Sequence, residues 1–329
     1  MQTSDAVRAQ SGRWILVGSL LPLLCIALVW LNEAKASAAP STSATINACG
    51  ATIDVRFAGE TTMASRGDLL TWVQRAGDAV CTYYGKFPVS HLALEVNVRG
   101  SAGVHSGTTY PDRGGYIRTS LGKETTAVQL KEDWMLTHEM IHLAFPSMAD
   151  RHHWIEEGLS VYVEPIARVQ AGQLTAEEMW HDVVRDIPQG QPQPGDRGLD
   201  GTHTWGRTYW GGALFSLVAD VRIRQQTHNH KGLQDALRAL LAAGGDITED
   251  WPIERALTVG DKATGTTVLA GLYQEMRDQP SPVDLAALWK ALGVERGAGG
   301  SIRFDSAAPL ANIREGITRP KAAATQDQP

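Results

Sequence analysis

The sequence lacks the features that mark several classes of protein. Basic residues are outnumbered, with 30 Lys and Arg against 36 Asp and Glu and a formal net charge of −6. Nucleic acid is therefore not expected as the main partner, because phosphate binding needs a basic face. No long internal repeat occurs, which excludes solenoids and propellers. What remains, 43% hydrophobic and 20% charged residues, is the composition of a globular chain rather than a disordered one.

An apolar run near the N-terminus predicts export. Residues 14–31 carry no charge, Arg8 and Arg13 precede them, and residues 36–38 give an Ala-x-Ala pattern. This arrangement is typical of a secretory signal, and the run is also long enough to stay in the bilayer as a membrane tether. We expect residues 1–39 to be a signal peptide or an anchor, and the rest of the chain to be periplasmic or otherwise extracytoplasmic.

Cysteine is scarce, with 3 residues in 329. Cys25 lies in the export segment, which leaves Cys49 and Cys81 as the pair outside it. Two thiols in an oxidising compartment usually form a bridge. We therefore predict a disulfide between Cys49 and Cys81 that joins the first strand to the first helix, with two free buried thiols as the alternative.

The hydrophobic periodicity changes from that of strands to that of helices along the chain. Residues 34–45 are small and polar and predict a linker. Strands are predicted at residues 51–57, 92–98, 104–110 and 115–121, the last two as a hairpin, with a helix at 68–84. Further helices are predicted at 127–145, 154–171, 176–187, 207–226, 232–243 and 282–292. Strands followed by helices indicate an α+β fold.

The motif His138-Glu139-Met140-Ile141-His142 is the sharpest chemical signal. On a helix, positions i and i+4 share a face, so both imidazoles can reach one metal ion. Zinc lowers the pKa of its bound water to about 7, and Glu139 is placed to accept the proton. Structural packing of these side chains on a buried helix is the alternative.

A third ligand is needed, because catalytic zinc usually has three protein ligands. A metzincin would need a glycine and a histidine where Phe145 and Met148 stand, which excludes that class. The stretch Trp-Ile-Glu-Glu-Gly begins the next predicted helix. Its carboxylates, Glu156 and Glu157, could reach the metal if the two helices pack side by side.

These two motifs together resemble the glutamate-zincin (gluzincin) peptidases, in which the glutamate before the glycine is the third ligand. The resemblance selects Glu157. Residues 208–215, 219–224 and 233–237 are similar to the C-terminal lobe of the glycyl-aminopeptidase-like family, in which a tyrosine steadies the oxyanion. That role falls on Tyr209. The resemblance implies a two-lobed zincin-like fold, Zn²⁺ as cofactor and a peptide or protein as substrate.

One departure from these relatives concerns the substrate. Aminopeptidase relatives carry a glutamate for the free amine on the edge strand before the metal helix, whereas residues 114–118 have none and no Glu occurs from 96 to 123. Such a strand can still pair with an extended substrate backbone. Exopeptidase and endopeptidase action therefore both stay open.

Several other polar side chains carry weaker expectations. His152 and His153 are expected to be exposed loop residues rather than ligands, and His203 either lines the cleft or is solvated. Glu164 and Arg168 are expected to form a surface ion pair, with a clamp on a metal ligand as the alternative. Asp220 and Arg224 are expected to be structural.

The sequence thus predicts an exported zinc peptidase with a two-lobed domain at 40–320, made of a sheet lobe at 46–146 and a helical lobe at 147–320, and a disordered tail at 321–329. His138, His142 and Glu157 would bind Zn²⁺, Glu139 would be the general base and Tyr209 the oxyanion donor. The alternatives are a non-catalytic periplasmic zinc-containing binding module and a zinc hydrolase of non-peptide amides.

Overall fold

A computed structural model describes residues 42–320, in which a five-stranded mixed sheet precedes a mostly helical part. The strands are β1 (Thr42–Ala48), β2 (Ala51–Gly59), β3 (His91–Val98), β4 (Val104–Tyr110), β5 (Tyr116–Leu121), β6 (Val294–Arg296) and β7 (Ile302–Phe304). The helices are α1 (Arg66–Tyr84), α2 (Ala127–Glu132), α3 (Met135–His142), α4 (His153–Gln170), α5 (Ala176–Asp186), α6 (Gly212–Gln226), α7 (Leu233–Ala242), α8 (Ile253–Thr264), α9 (Val268–Met276), α10 (Leu285–Leu292) and α11 (Ala311–Thr318). The predicted α+β fold is confirmed.

Both ends of the chain lie outside the described residues. The predicted export segment at 14–31 and the predicted tail at 321–329 belong to these ends. Within residues 42–320, no helix combines the length and the hydropathy that a bilayer crossing requires.

The large sheet has the strand order β1-β2-β3-β5-β4. β2, β3 and β5 are parallel to one another, and β1 and β4 flank them in antiparallel orientation. The prediction that residues 114–118 form the edge strand is wrong, because β5 is an inner strand and β4 is the edge. The physical reason is composition: Ile117 and Leu121 of β5 are fully buried, whereas β4 is polar and partly exposed.

One face of the sheet forms the first core. Side chains alternate along β3, and Leu92, Leu94 and Val96 are buried on one side. α1 covers this side with Trp72 and Val73. In these strands every second side chain is apolar, and the helix is apolar along one face. The sheet and the helix therefore stabilise each other, because their contact removes apolar surface from water.

The chain before the first predicted strand already belongs to the sheet. Residues 42–45 were expected to be linker but form the start of β1, which pairs with β2. Small polar side chains suit this position, since β1 is an edge strand with an exposed start. The Cys49–Cys81 disulfide is present. It joins the β1–β2 turn, rather than a strand, to α1.

The helix predicted at 127–145 is two helices. α2 ends at Glu132 and α3 begins at Met135. Asp133 causes the break, because its carboxylate accepts the backbone N–H groups of Met135 at 3.2 Å and Leu136 at 3.1 Å. The indole N–H of Trp72 donates to the same carboxylate at 2.8 Å. This side chain therefore accepts from the first two backbone N–H groups of α3 and ties the helix to α1.

A buried ion pair lies where a surface pair was expected. Arg168 donates to Glu164 at 2.9 Å, and both side chains are buried within α4. Burial raises the pKa of Glu164 to about 7, although the charge and hydrogen bond of Arg168 act in the opposite direction. The surface expectation was wrong because α4 is enclosed by other elements on the face that carries these residues. Pro165 lies inside α4 and does not divide it.

The raised pKa of Glu164 predicts a pH dependence of stability. The folded protein keeps a proton that the unfolded chain releases above its ordinary value of 4.5. The free energy of unfolding should therefore fall as pH rises from about 4.5 to about 7, by on the order of 3 kcal/mol. Glu164→Gln should remove this part of the slope in urea titrations between pH 5 and 8. The exposed Glu177→Gln is the matched control, and an unchanged slope in Glu164→Gln would contradict the prediction.

Candidate metal centre

Two packed helices bring the predicted ligands together. α3 presents His138 and His142 one turn apart, and α4 presents Glu157 from its second turn. The Nε2 atoms of the two histidines are 3.2 Å apart. Oε2 of Glu157 lies 3.3 Å from Nε2 of His138 and 3.5 Å from Nε2 of His142.

The spacing of these three atoms suits a tetrahedral zinc ion. With ligand bonds of about 2.0–2.1 Å, two neighbouring corners of a tetrahedron lie about 3.3–3.4 Å apart. The observed distances of 3.2, 3.3 and 3.5 Å bracket that value. Two imidazole nitrogens and a carboxylate oxygen are also the ligand types that zinc prefers. Within residues 42–320, this is the one group of side chains whose spacing could hold a metal ion.

The surroundings of His138 and Glu157 favour the protonation states that can bind a metal ion, a neutral imidazole and a carboxylate. Burial lowers the pKa of His138, so the imidazole stays neutral. Burial alone would raise the pKa of Glu157, but hydrogen bonds with His138, His142 and His153 outweigh it and lower the pKa. The carboxylate is therefore an anion throughout the neutral range.

Glu156 is excluded as the third ligand by its own contacts. One of its oxygens accepts the backbone N–H of Met148 at 3.0 Å, and the other lies 3.1 Å from Nδ1 of His153. Nε2 of His153 lies 3.3 Å from the second oxygen of Glu157. His153 is exposed, as expected, yet it restrains a candidate ligand through the oxygen that faces away from the histidine pair.

The neighbouring His152 does not meet the expectation of an exposed loop. It is buried, and its Nδ1 lies 3.0 Å from Asp200. Trp154 and Tyr273 donate to the same carboxylate at 2.8 and 2.7 Å. A buried imidazole needs a polar partner, and Asp200 supplies it from a distant loop. His152 is therefore part of the structural core, and His203 is exposed.

Glu139 lies beside the three ligand atoms and is oriented by the edge strand β4. The hydroxyl of Thr109 donates to Oε2 of Glu139 at 2.6 Å and contacts its backbone oxygen at 2.9 Å. Gly107, on the same strand, leaves the space that the Glu139 side chain fills, since a Cβ there would overlap with it. The sequence analysis missed Thr109 and Gly107, because only strand order shows that β4 passes this helix.

Tyr209 reaches the same region from a π-helical segment, Gly206–Gly211, that leads into α6. Burial and the carboxylates of Glu157 and Glu139 raise the pKa of Tyr209 to about 12. Its hydroxyl therefore keeps its proton at neutral pH and can donate a hydrogen bond. π-Helical turns are rare and occur often at functional sites.

Two glycines set the separation between Glu157 and Tyr209. Gly158 of α4 lies directly against the backbone of Gly212 at the start of α6. A Cβ on Gly158 would overlap with main-chain atoms of Gly212 and Ala213, and a Cβ on Gly212 would overlap with the carbonyl oxygen of Trp154. The glycine of the Glu-Gly motif is thus explained by backbone contact between two helices.

Asp220 and Arg224 form a buried structural network, as expected. Arg224 donates to Asp220 at 2.8 Å, and the same carboxylate accepts from Tyr162 at 3.0 Å and from the backbone of Leu233 at 2.9 Å. This network joins α4, α6 and the start of α7. It holds the helices on which Glu157 and Tyr209 depend.

Comparison with known proteins reveals similarity of fold rather than of sequence. No family model and no curated protein matches the sequence. The crystal structure of an aminopeptidase N family protein from Idiomarina loihiensis has a TM-score of 0.59 at 13% identity, over 77% of this chain and 49% of that chain. An M1 zinc metallopeptidase from Deinococcus radiodurans gives 0.48 at 15% identity, over 74% and 54%. A mutant of it bound to a Tyr-Ser-Ala substrate gives 0.48 at 14%, over 74% and 53%.

This chain spans about half the length of these structures. The likeness to the Idiomarina protein shows that the described residues adopt an aminopeptidase N type of fold. The ligand and catalytic roles of the site residues, and the closer resemblance to the glycyl-aminopeptidase-like family, stay predictions. The part of the chain that the structure describes has an aminopeptidase N-like fold.

Proposed function

We propose that this protein is a zinc-dependent peptidase of the gluzincin type. The observation that carries the proposal is the triangle of His138 Nε2, His142 Nε2 and Glu157 Oε2, with sides of 3.2 to 3.5 Å. A purely structural zinc site usually has four protein ligands, whereas three leave a position for the reaction. The aminopeptidase N-type fold supports the same conclusion.

The residues have distinct roles in this proposal. His138, His142 and Glu157 hold the zinc ion, which would polarise the scissile carbonyl and make a water molecule acidic near neutral pH. Glu139, held by Thr109, accepts the proton of the attacking water and returns it to the leaving amine. Tyr209 donates a hydrogen bond to the oxyanion that develops on the carbonyl.

The free edge of β4 is the proposed site for the substrate backbone. In the described part of the sheet, β4 pairs with β5 alone, and Gly107 and Thr109 contact Glu139. An extended peptide that adds to this edge would pass Glu139 with its backbone N–H and C=O groups paired. Neither β4 nor β5 contains an acidic residue, so these strands offer no carboxylate to a free α-amine.

The function is tested with the full-length protein. Metal analysis should find close to one equivalent of zinc, and the zinc-loaded protein should digest a proteome-derived peptide library until a chelator is added. Fragments trimmed only from the amino end would establish an exopeptidase, and internal cuts an endopeptidase. A zinc-loaded protein that leaves the library intact would contradict the proposal and favour a binding module or a hydrolase of other amides.

Gly107→Ala should lower turnover without affecting zinc content. The added methyl group would displace the Glu139 side chain, which occupies that space, while the zinc ligands are untouched. We expect kcat to fall by about tenfold to a hundredfold, since proton transfer by a positioned carboxylate contributes about 10²–10⁴ in rate. The control is Thr108→Ala, an exposed neighbour on the same strand. Equal kcat values for the two variants would show that Gly107 does not position Glu139.

We also propose that the protein acts outside the cytoplasm. The Cys49–Cys81 bridge supports this proposal, because structural disulfides persist mainly in oxidising compartments. The apolar run at 14–31 supports it independently. Fractionation of cells that express the full chain, followed by mass determination of the mature protein, would establish both the location and whether the run is removed.

A further inference from the structure

Two tryptophans beside the candidate zinc site are exposed to solvent. Trp134 is 49% exposed and Trp205 is 60% exposed. Within residues 42–320, the other large apolar side chains with such exposure are Met63 and Val128. An exposed indole is informative, because large apolar surfaces are usually buried unless they meet a partner.

Each of these indoles contacts a candidate functional residue. The ring of Trp134 lies edge-on to that of His138, with centroids 5.7 Å apart. The ring of Trp205 is stacked on that of Tyr209, with centroids 5.8 Å apart and planes inclined by 27°. Trp134 directly precedes α3, and Trp205 directly precedes the π-helical segment. Both are therefore attached to the elements that carry the reacting groups.

We propose that Trp134 and Trp205 form apolar subsites that select substrates with aromatic or large aliphatic side chains next to the scissile bond. The inference rests on the proposed peptidase function. A substrate backbone at the site would bring its flanking side chains to these two indoles. Covering an indole with an aromatic or aliphatic side chain removes apolar surface of both partners from water, and offset or edge-to-face ring contacts add to the gain.

The competing explanation is that Trp205 only supports Tyr209. The two explanations predict different kinetics. A supporting residue affects kcat for every substrate alike, whereas a subsite affects KM and kcat/KM according to the substrate side chain. Trp205→Phe keeps an aromatic ring that can stack on Tyr209, while Trp205→Ala removes it. The same pair of substitutions applies to Trp134, whose ring contacts His138.

The test uses quenched-fluorescence peptides that differ only in the residues on either side of the cleaved bond, with Phe, Leu, Ala or Asp at each place. The wild-type protein should prefer Phe and Leu over Ala by about tenfold or more in kcat/KM. Trp134→Ala and Trp205→Ala should each lose most of this preference at one place, mainly through KM. The phenylalanine variants should retain the preference.

Met63→Ala is the control, because it removes an apolar side chain that is 73% exposed and belongs to neither subsite. The dissociation constant of a Phe peptide from the Glu139→Gln protein, which does not cleave it, can be measured by calorimetry and does not depend on turnover. Binding should weaken about tenfold when either tryptophan is also replaced by alanine. Peptides that are cleaved without side-chain preference, or variants that slow all peptides equally, would overturn the subsites and leave the peptidase proposal standing. No cleavage of any peptide would overturn both.

Discussion

Glu139→Gln should retain zinc and lose nearly all peptide hydrolysis. Glutamine fills the same space and can still accept the hydrogen bond from the hydroxyl of Thr109, which is 2.6 Å from the Glu139 carboxylate. It has no basic oxygen to take a proton from water. Because a positioned general base contributes about 10²–10⁴ in rate, kcat/KM should fall by at least about a hundredfold. Peptide affinity should change little, since the zinc ligands and the β4 edge are intact.

Three measurements are needed to interpret this variant. Metal analysis and thermal unfolding should match the wild-type protein, and steady-state kinetics should show the loss in kcat. The exposed Glu177→Gln on α5 controls for the loss of one carboxylate. If Glu139→Gln kept its turnover, or lost its zinc, Glu139 would not be the general base. If the protein were a binding module, this variant would keep its affinity for the partner, and neither it nor the wild-type protein would hydrolyse peptides.

Gly158→Ala should have the largest effect on stability and should damage the site as well. A methyl group at this position would overlap with the backbone of Gly212 and Ala213, and a backbone cannot rotate out of the way as a side chain can. Overpacking typically costs about 1–3 kcal/mol, and we expect the upper end or more. The melting temperature should fall by about 6–12 °C.

The displacement should also increase the distance between Glu157 and the segment that carries Tyr209. The fraction of the Gly158→Ala variant that folds is therefore expected to have a low kcat even when zinc is bound. The matched control is Gly271→Ala in α9, where an added Cβ would meet nothing within 4 Å. This substitution should be neutral or stabilise by about 0.5–1 kcal/mol. Equal melting temperatures for the two variants would show that the α4–α6 contact tolerates expansion.

The site was predictable to the extent that its residues are close in sequence. His138 and His142 are one helical turn apart, so the periodicity of the helix places them together without reference to the rest of the chain. Glu157 was selected through the Glu-Gly motif, and the structure provides the physical reason for the glycine in its contact with Gly212. In this motif the glycine therefore indicates a close contact between two helices, and the glutamate indicates a candidate ligand.

Contacts between distant segments were the part that the sequence did not show. Thr109 and Glu139 are joined by a hydrogen bond across 30 residues, and nothing in the strand pattern of β4 indicates it. The edge strand was misassigned for the same reason, because alternation identifies strands but not their order. The buried environments of His152 and of the Glu164–Arg168 pair were also missed, since both depend on what packs against α4.

The amino-acid sequence by itself determined the local elements and the chemistry: an α+β chain, a helix with two histidines and a glutamate on it, and a following helix with a carboxylate before a glycine. Hydrophobic period and helical spacing are local properties, so a single chain displays them. Tertiary structure alone decided that β4 is the edge beside Glu139, that Gly158 meets Gly212, and that Trp134 and Trp205 remain exposed beside His138 and Tyr209. Those relations arise from packing between segments far apart in the chain, where close approach of backbones and burial of side chains fix the distances.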